Sequence, residues 1–420
     1  MKKTIPFTFP VFYLILTSRW GSHIQYGGIY LTDVLIVFSL ATFFLKRRYR
    51  SNWSRKPNYF LYAFTAVIFV NSFFRFDFSK DWFRDAVPFL YLFIALLLAR
   101  INLDRTLLQN SQRMIVISLR CHAIWYGFFS IFDFGNALPL VPGSQNIRLF
   151  EIRGDYDPML CFVYLAWISY QTSRKLKLSK IDLISVAFAI LGVGQSNSRA
   201  ALLSFIIMIF IILVASKRLF TIALSLFAAT FISLGLVYYL QLPIPGVVSK
   251  LPFSNALLNN SQSEELRNLG DGTSRSRFNA WVILLNYVTE DPARTMVGVG
   301  PGRDFMSESG AGRALIANFN DLENAPRSPH NIIITVLVRF GLVGMFFFIA
   351  LLIQVWLQLR SGMKSQKPED IEYELDSLKY FLFVGILVTS TLGVILESPF
   401  GAIPFAWLLG VSASFRTPRT

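Results

Sequence analysis

Long apolar runs recur along almost the whole chain, and they constrain its fold more than any other feature. A helix crosses a bilayer with about 17 to 25 apolar residues. The composition fits a protein surrounded by lipid, because 54% of the 420 residues are hydrophobic and 41 are Phe. A soluble domain has a lower apolar content. The runs predict an all-α, polytopic integral membrane protein with about twelve spans. They lie near 5–19, 27–45, 57–74, 86–100, 114–132, 156–172, 181–195, 200–215, 219–240, 331–359, 378–397 and 400–415.

The formal charge of +15 is concentrated in short basic clusters that follow apolar runs. If the N-terminus is inside and the spans alternate, every cluster falls on the cytoplasmic face, as Lys and Arg do in membrane proteins. Both termini are then cytoplasmic. The longest loop, Gln241 to Pro329, holds eight basic and nine acidic residues, so the charge is topological and we expect no nucleic-acid partner. The clusters are 46–56, 173–180, 216–218 and the tail residues Arg416 and Arg419.

The N-terminal run has the basic start of a signal peptide, but no small-x-small cleavage site follows it. We therefore interpret it as the first span, uncleaved. Cys121 and Cys161 lie inside apolar runs, where a thiol behaves as a small hydrophobe. The chain therefore shows no disulfide or metal pattern.

The spans divide the chain into three parts. We expect spans one to nine in residues 1–240, a large periplasmic loop in 241–329, and spans ten to twelve in 330–420. The polar segment from Arg360 to Ser377 is predicted to be a cytoplasmic connector. A loop as long as the second part is far above ordinary loop lengths, which indicates a function.

One stretch of the large loop carries a helix pattern. Thr273 or Ser274 is its candidate N-cap, and it should end near Glu290 and Pro292. The spacing predicts an amphipathic helix at the membrane surface. Its apolar face would comprise Phe278, Trp281, Leu285 and Val288.

Two arginines are candidate anion ligands. Arg199 begins a span, where a guanidinium and the helix N-terminus could hold an anion together; a snorkelling interfacial arginine is the alternative. Arg277 is four residues before Trp281 and so lies on the same helix face, with Arg275 nearby. This pair could be an anion clamp in which the ring holds the arginine, or an ordinary solvated arginine.

His330 follows Ser328-Pro329, which is typical of an N-cap and a first helical residue. That pattern puts His330 in the first turn of a helix from about Asn331, where the helix dipole disfavours imidazolium. A neutral imidazole there could act as a general base. A structural histidine is the alternative, and it is our interpretation of His23 and His122.

The remaining polar candidates lie around these residues. Gly298, Gly300 and Gly302 lack the Lys-Ser/Thr of a P-loop, so we interpret them as a turn that permits close backbone approach. No Asp/Glu/His cluster suggests a metal, and we expect metal-independent chemistry without a cofactor. The likeliest assisting carboxylates are Asp155, Asp157 and Glu323, and the extra positive charges are Arg148 and Arg153.

Three stretches together resemble the O-antigen ligase and polymerase superfamily. They are GQSNSRAALLSF, SRFNAWVILLNYVTEDPARTMVGVGPGRDF and SPHNIIITVLVRFGLVGMFFFIALL, within roughly 148 to 352. RGDYDPM is similar to a further family loop, although Met159 stands where that family often has Asn.

The resemblance implies a GT-C-like glycosyltransferase of the bacterial inner membrane, with a large periplasmic loop between helices nine and ten. It would move a glycan from undecaprenyl pyrophosphate to an acceptor hydroxyl, with inversion. Arg199 and Arg277 would hold the pyrophosphate and His330 would activate the acceptor. The residues that would assist substrate binding are Arg148, Arg153, Asp155, Arg275, Trp281, Gly300, Glu323 and Asn331. The implied partners are the lipid-linked donor, a glycan or lipid acceptor, the bilayer and polysaccharide-assembly proteins.

Three alternatives remain at this point. The same superfamily includes polymerases of O-antigen, capsule or exopolysaccharide repeat units. A flippase for lipid-linked sugars would also need arginines, but it predicts inverted repeats and broken helices, whereas one large loop interrupts this chain asymmetrically. A non-catalytic assembly partner would tolerate alanine at Arg199, Arg277 and His330.

Overall fold

Helices make up nearly all of the structure that can be described. The computed structural model describes residues 25–26, 29–30, 58–76, 79–99, 102–103, 105–132, 139–140, 155–174, 178–194, 196, 198–215, 274–315, 327–365, 371–413 and 415–416.

The helices are α1 (Tyr59–Phe74), α2 (Lys80–Leu90), α3 (Leu92–Leu98), α4 (Arg105–Ile131), α5 (Tyr156–Ser173), α6 (Lys180–Gly194), α7 (Arg199–Ala215), α8 (Ser274–Thr289), α9 (Pro292–Val297), α10 (Phe305–Glu308), α11 (Ala311–Ala314), α12 (Ile332–Ser365), α13 (Ile371–Ser390) and α14 (Pro399–Ala413). A 3₁₀ turn, Ile395–Glu397, connects the last two. Two-residue strands β1 (Gln25–Tyr26) and β2 (Ile29–Tyr30) pair antiparallel, and β3 (Asn102–Leu103) and β4 (Phe415–Arg416) pair parallel.

Most of the predicted apolar runs in this part of the chain contain a helix of similar extent. The agreement is closest for α1, α5, α6, α7 and α14, because a continuous apolar run leaves the backbone no better partner than its own carbonyls. The runs near 5–19 and 219–240, and most of 27–45, lie outside the described residues. Across that described part, only Ile332–Met363, with a mean hydropathy of 2.6, is both long and apolar enough to cross a membrane, a property that a buried core helix can share.

In three places the helix or strand bounds differ from the predicted apolar runs. Ile29–Tyr30 pairs as a strand where a span was expected to have begun. The run near 86–100 begins earlier, at Lys80, because Ser79 caps α2 by accepting a hydrogen bond from the Trp82 amide at 3.0 Å. Much of the predicted connector 360–377 is helical, since α12 continues to residue 365 and α13 begins at residue 371. Hydropathy marks the apolar part of a helix, and a helix can continue beyond it into polar sequence.

Two apolar clusters organise the packing. The larger one joins α1 to α7 and α12 to α14, with α4 against α6, α5 against α7 and α13, and α14 against α3. The smaller one forms beneath α8, where Ala280, Leu284 and Val288 pack against Phe305 and against Val338 of α12. Residues 274–315 are therefore a folded unit seated on the beginning of α12.

The predicted apolar face of α8 is only partly the face that packs against protein. Val288 is 2% exposed, whereas Phe278 is 60% exposed and Leu285 is 40% exposed. The buried face combines Val288 with Ala280 and Leu284, and it contacts the glycine-rich segment and α12. The helix has apolar residues on two sides, and tertiary packing selected the side with the smaller residues.

Helix α12 is broken at Gly341, whose φ of 64° and ψ of −167° are not helical. The carbonyls of Val338 and Arg339 accept hydrogen bonds at 2.8 Å from the amides of Val299 and Gly300. The break therefore exposes two backbone acceptors that the glycine-rich segment satisfies. It fixes the loop to α12 immediately after the segment that carries His330.

Candidate active site

His330 lies before α12 and not inside it. Its φ is 55°, the left-handed region, and it is the only described non-glycine residue with positive φ. The Asn331 side chain caps the helix, accepting from the amides of Ile333 at 2.9 Å and Ile334 at 3.3 Å. Ser328 Oγ accepts from the His330 amide at 3.2 Å. The prediction that His330 occupies the first helical turn is therefore wrong, because Asn331 supplies the cap that was expected from Ser328.

The expectation of a neutral imidazole is supported by a different cause. Burial lowers the pKa of His330 below its usual range, and the positive charge of Arg277 lowers it further. The carboxylate of Asp155 acts in the opposite direction. Desolvation penalises the charged form of a histidine, so burial favours the neutral form of this ring.

Arg277 projects from α8 toward the segment between α13 and α14. Its Nη1 donates to the Leu392 carbonyl at 2.6 Å. Burial lowers the pKa of Arg277, Asp155 opposes that change, and the positive charge of Arg199 adds to it. Arg199, Arg277, Asp155 and His330 therefore interact electrostatically although they come from four separate stretches of the chain.

Ser198, the residue before Arg199, joins the start of α7 to Asp155. Ser198 caps α7, since its Oγ accepts from the Ala201 amide at 3.1 Å, and the same Oγ donates to Asp155 Oδ1 at 2.6 Å. Arg199 is the first residue of α7, as expected, and its side chain is exposed. The residue that caps α7 thereby positions the carboxylate of Asp155, which immediately precedes α5.

Trp281 does not hold Arg277 against its ring. Its indole Nε1 donates to the Pro329 carbonyl at 2.8 Å, and the cation-π contacts of the described residues do not include this pair. Arg277 extends instead to Leu392. The expected clamp is wrong in this detail, and Trp281 positions the residue immediately before His330.

The glycines of the Gly-Val-Gly-Pro-Gly segment permit close backbone approach, as interpreted. Gly298 and Gly300 have φ of 74° and 77°. A Cβ on Gly298 would lie 2.3 Å from the backbone of Arg339, and one on Gly300 would lie 2.4 Å from Arg75 Cδ. Gly300 therefore packs closely against Arg75, and its role in substrate binding stays a prediction.

A buried ion network lies beneath these glycines. Arg339 is fully buried and its Nη2 lies 3.0 Å from Asp85 Oδ2. The same oxygen lies 3.2 Å from Arg327 Nη2 and accepts from the Gly302 amide at 3.2 Å. Sequence reasoning missed this pair because Asp85 stands at the polar edge of the run near 86–100, and Arg339 stands alone inside the run near 331–359. An arginine inside an apolar run was itself the available signal, since such a charge requires a partner.

A cavity of about 310 Å³ opens beside His330. Glu397 lies at this cavity and accepts a hydrogen bond from Thr335 Oγ1 at 2.5 Å, and also from Ser328. The cavity lies between α2, the segment before α12, and the turn before α14. Its lining residues are Arg84, Asp85, Pro88, Phe89, Arg327, Ser328, His330, Thr335, Arg339, Val394, Glu397 and Ser398.

Several predicted residues are not brought into this site. Asp157 is fully buried, and its Oδ1 lies 3.7 Å from Nε2 of His122. Arg148, Arg153 and Glu323 lie outside the described residues, as does the side chain of Arg275. Within the part of the chain that the structure describes, no group of three or more His, Cys, Asp or Glu side chains could hold a metal ion.

Comparison with known families identifies one segment of the chain. Residues 184–349 match the family model described as O-antigen ligase. The predicted resemblance is confirmed over this segment. The O-antigen ligase match contains Arg199, Arg277 and His330, whereas Asp155 and Glu397 lie on either side of it. Proteins of this family are glycosyltransferase-like enzymes of the bacterial inner membrane. No curated protein matches the chain significantly.

Proposed function

We propose that this protein transfers a glycan from undecaprenyl pyrophosphate to an acceptor hydroxyl at the periplasmic face of the inner membrane. The observation that carries the proposal is that Arg277 and Asp155 act electrostatically on a half-buried His330, and that Arg199 acts on Arg277 in turn. All but Asp155 lie inside the segment that matches the O-antigen ligase family.

The proposed reaction needs a base, positive charge that stabilises the leaving diphosphate, and correct positioning of the two substrates. The neutral imidazole of His330 takes the proton of the acceptor hydroxyl, whose oxygen then attacks the anomeric carbon. The bond between that carbon and the pyrophosphate oxygen breaks, and its electron pair leaves with the diphosphate. Arg199 and Arg277 stabilise the charge that develops on this leaving group. Attack opposite the leaving group inverts the anomeric centre, and no step calls for a metal or a cofactor.

Exposed apolar side chains support the membrane part of the proposal. On α12, Leu342, Phe346, Ile349, Ile353 and Leu357 are each 42 to 62% exposed. Their spacings of three and four place them on one face. A continuous apolar face of this length is unfavourable in water, and lipid would cover it. We propose about twelve spans with both termini cytoplasmic, with the periplasmic loop over 241–329.

The break at Gly341 does not favour a flippase. Broken helices are expected in transporters where the freed backbone groups line a pathway. Here the freed carbonyls of α12 accept hydrogen bonds from Val299 and Gly300. The break therefore has a docking role that a transferase can use equally well.

Reconstituted transfer tests the proposal. The full-length protein in lipid nanodiscs is supplied with undecaprenyl-pyrophosphate-linked glycan and a panel of acceptors, including a second donor molecule. We expect glycan transfer, and a loss of about 100-fold or more for His330→Ala, which is the scale of general-base catalysis. Transfer to a second donor would identify a polymerase, and transfer to a lipid or core acceptor would identify a ligase. Absence of transfer to every acceptor would rule out the proposed reaction.

A further inference from the structure

The cavity beside His330 differs from the arginine group on which the proposed donor site rests. His330 contributes to both, whereas Arg199, Arg277 and Asp155 do not line the cavity. The described lining comes from α2, the start of α12 and residues 394–398. His330, the proposed base, therefore borders two groups of residues, the arginine group and the lining of the cavity.

The charges around this cavity are balanced. Asp85 Oδ2 contacts Arg327 and Arg339 at 3.2 and 3.0 Å, and Arg327 Nη1 lies 3.0 Å from Asp81 and 3.5 Å from Asp304.

Arg84 Nη2 lies 3.2 Å from Asp81, and Arg84 Nε lies 3.6 Å from Asp85. Three guanidinium groups thus share three carboxylates, and Glu397 adds a fourth carboxyl group at the cavity. An anionic ligand would gain no excess positive charge here. In the arginine group, by contrast, two guanidinium groups, Arg199 and Arg277, interact beside the carboxylate of Asp155.

The lining suits a neutral polyhydroxy ligand. Hydroxyl groups donate and accept hydrogen bonds, and the cavity offers the donors of Arg84 and Arg327 beside the acceptor Glu397. The Nε of Arg327 is buried and has no hydrogen-bond partner among the described residues. Phe89 and Val394 supply an apolar surface for the carbon-bound hydrogens of a sugar ring. A volume of 310 Å³ is at the lower end of small-molecule sites, roughly 300 to 1,000 Å³.

We propose that this cavity binds the acceptor, and that it takes a neutral saccharide unit whose attacking hydroxyl reaches His330. This assignment rests on the proposed function, because it names the second substrate of that reaction. The anionic leaving group belongs to the arginine group, and the uncharged nucleophile belongs to the charge-balanced cavity. In this arrangement the donor lies at the arginine group, the acceptor lies in the cavity, and both reach the imidazole of His330.

Variants of the cavity lining distinguish an effect on acceptor binding from an effect on donor binding. Val394→Phe adds bulk to the lining, and Arg84→Gln removes one donor whose side chain is 48% exposed. Arg303→Gln is the control, because Arg303 is 59% exposed, pairs with Glu308 and does not line the cavity. Initial rates are measured in nanodiscs with undecaprenyl-pyrophosphate-linked glycan as donor. The acceptor probes are a neutral hexose glycoside and the same glycoside carrying a phosphate.

We expect both lining variants to raise the KM for the neutral glycoside about tenfold while the donor KM stays constant, the pattern of lost acceptor binding. The wild type should prefer the neutral probe, and Arg303→Gln should behave as the wild type. A change confined to the donor KM, unchanged kinetics in both variants, or preference for the phosphorylated probe would overturn the assignment.

A binding measurement keeps this inference separate from the proposed reaction. Saturation-transfer NMR of the neutral glycoside on the nanodisc protein should show binding that Val394→Phe abolishes. Binding without any turnover would refute the proposed function and leave the saccharide site standing. Turnover by the wild type with no loss of glycoside binding in Val394→Phe would refute the cavity assignment alone.

Discussion

The guanidinium of Arg277 lies close enough to the imidazole of His330 for its charge to lower the pKa of that ring. Arg277 is itself oriented by the Leu392 carbonyl at 2.6 Å. One arginine can therefore serve the proposed reaction in two ways. It provides charge for a departing diphosphate, and it keeps the proposed base in its neutral form.

This relationship predicts opposite pH shifts for two variants. A base must be neutral, so the rate should fall as pH drops through the lowered pKa of His330. Arg277→Gln removes a charge that lowers this pKa, and we expect the acid limb of kcat/KM to move to higher pH. Asp155→Asn removes a charge that raises it, and the limb should move to lower pH. Shifts in the same direction would contradict the assignment of His330 as the base.

The buried pair of Asp85 and Arg339 predicts a stability difference between two aspartates. Asp85→Asn leaves the guanidinium of Arg339 buried without its carboxylate, which costs about 3 to 5 kcal/mol. Asp81→Asn removes a carboxylate that is 44% exposed, and such pairs contribute about 1 kcal/mol or less. Thermal unfolding in detergent should therefore show a much larger fall in Tm for Asp85→Asn. Equal Tm values for the two variants would refute the role of Asp85.

The glycine segment allows a matched test of close packing. Gly298→Ala would place a Cβ 2.3 Å from the backbone of Arg339, whereas Gly310 has a φ of 79° and nothing within 4 Å of such a Cβ. Alanine in the left-handed conformation of Gly310 costs about 1 kcal/mol, whereas Gly298, with φ 74° and ψ −171°, adopts a conformation nearly restricted to glycine. We expect Gly298→Ala to abolish folded protein in a size-exclusion assay and Gly310→Ala to retain it. Similar yields of both would show that the docking onto α12 is not required.

The indole of Trp281 predicts a small positioning effect. Trp281→Phe keeps an aromatic ring but removes the hydrogen bond to the Pro329 carbonyl, which contributes about 0.5 to 1.5 kcal/mol. Transfer should fall by at most about tenfold, without a change in the pH limb. Asn279→Ala, at an exposed position of the same helix, is the control and should leave transfer unchanged. A loss as large as that of His330→Ala would indicate direct contact between Trp281 and substrate.

The positions of most helices in the described part could be predicted from sequence because hydropathy is a local property. Helix α7 follows the predicted run near 200–215 closely, and the end of α8 at Thr289 agrees with the pattern near Pro292. The packed face of α8 could not be predicted, because apolar residues lie on two of its sides. Which side is buried depends on Phe305 and Val338, which are distant in sequence.

The sequence by itself determined the helical class, the candidate residues Arg199, Arg277 and His330, and the family that they indicate. Only the tertiary structure decided how these residues meet. A helix pattern could not reveal that His330 adopts a left-handed conformation before the Asn331 cap, since two capping residues competed for the same helix start. It also could not bring Asp85 to Arg339, because a buried charge is matched by a partner in space, and spacing along the chain does not encode that partner.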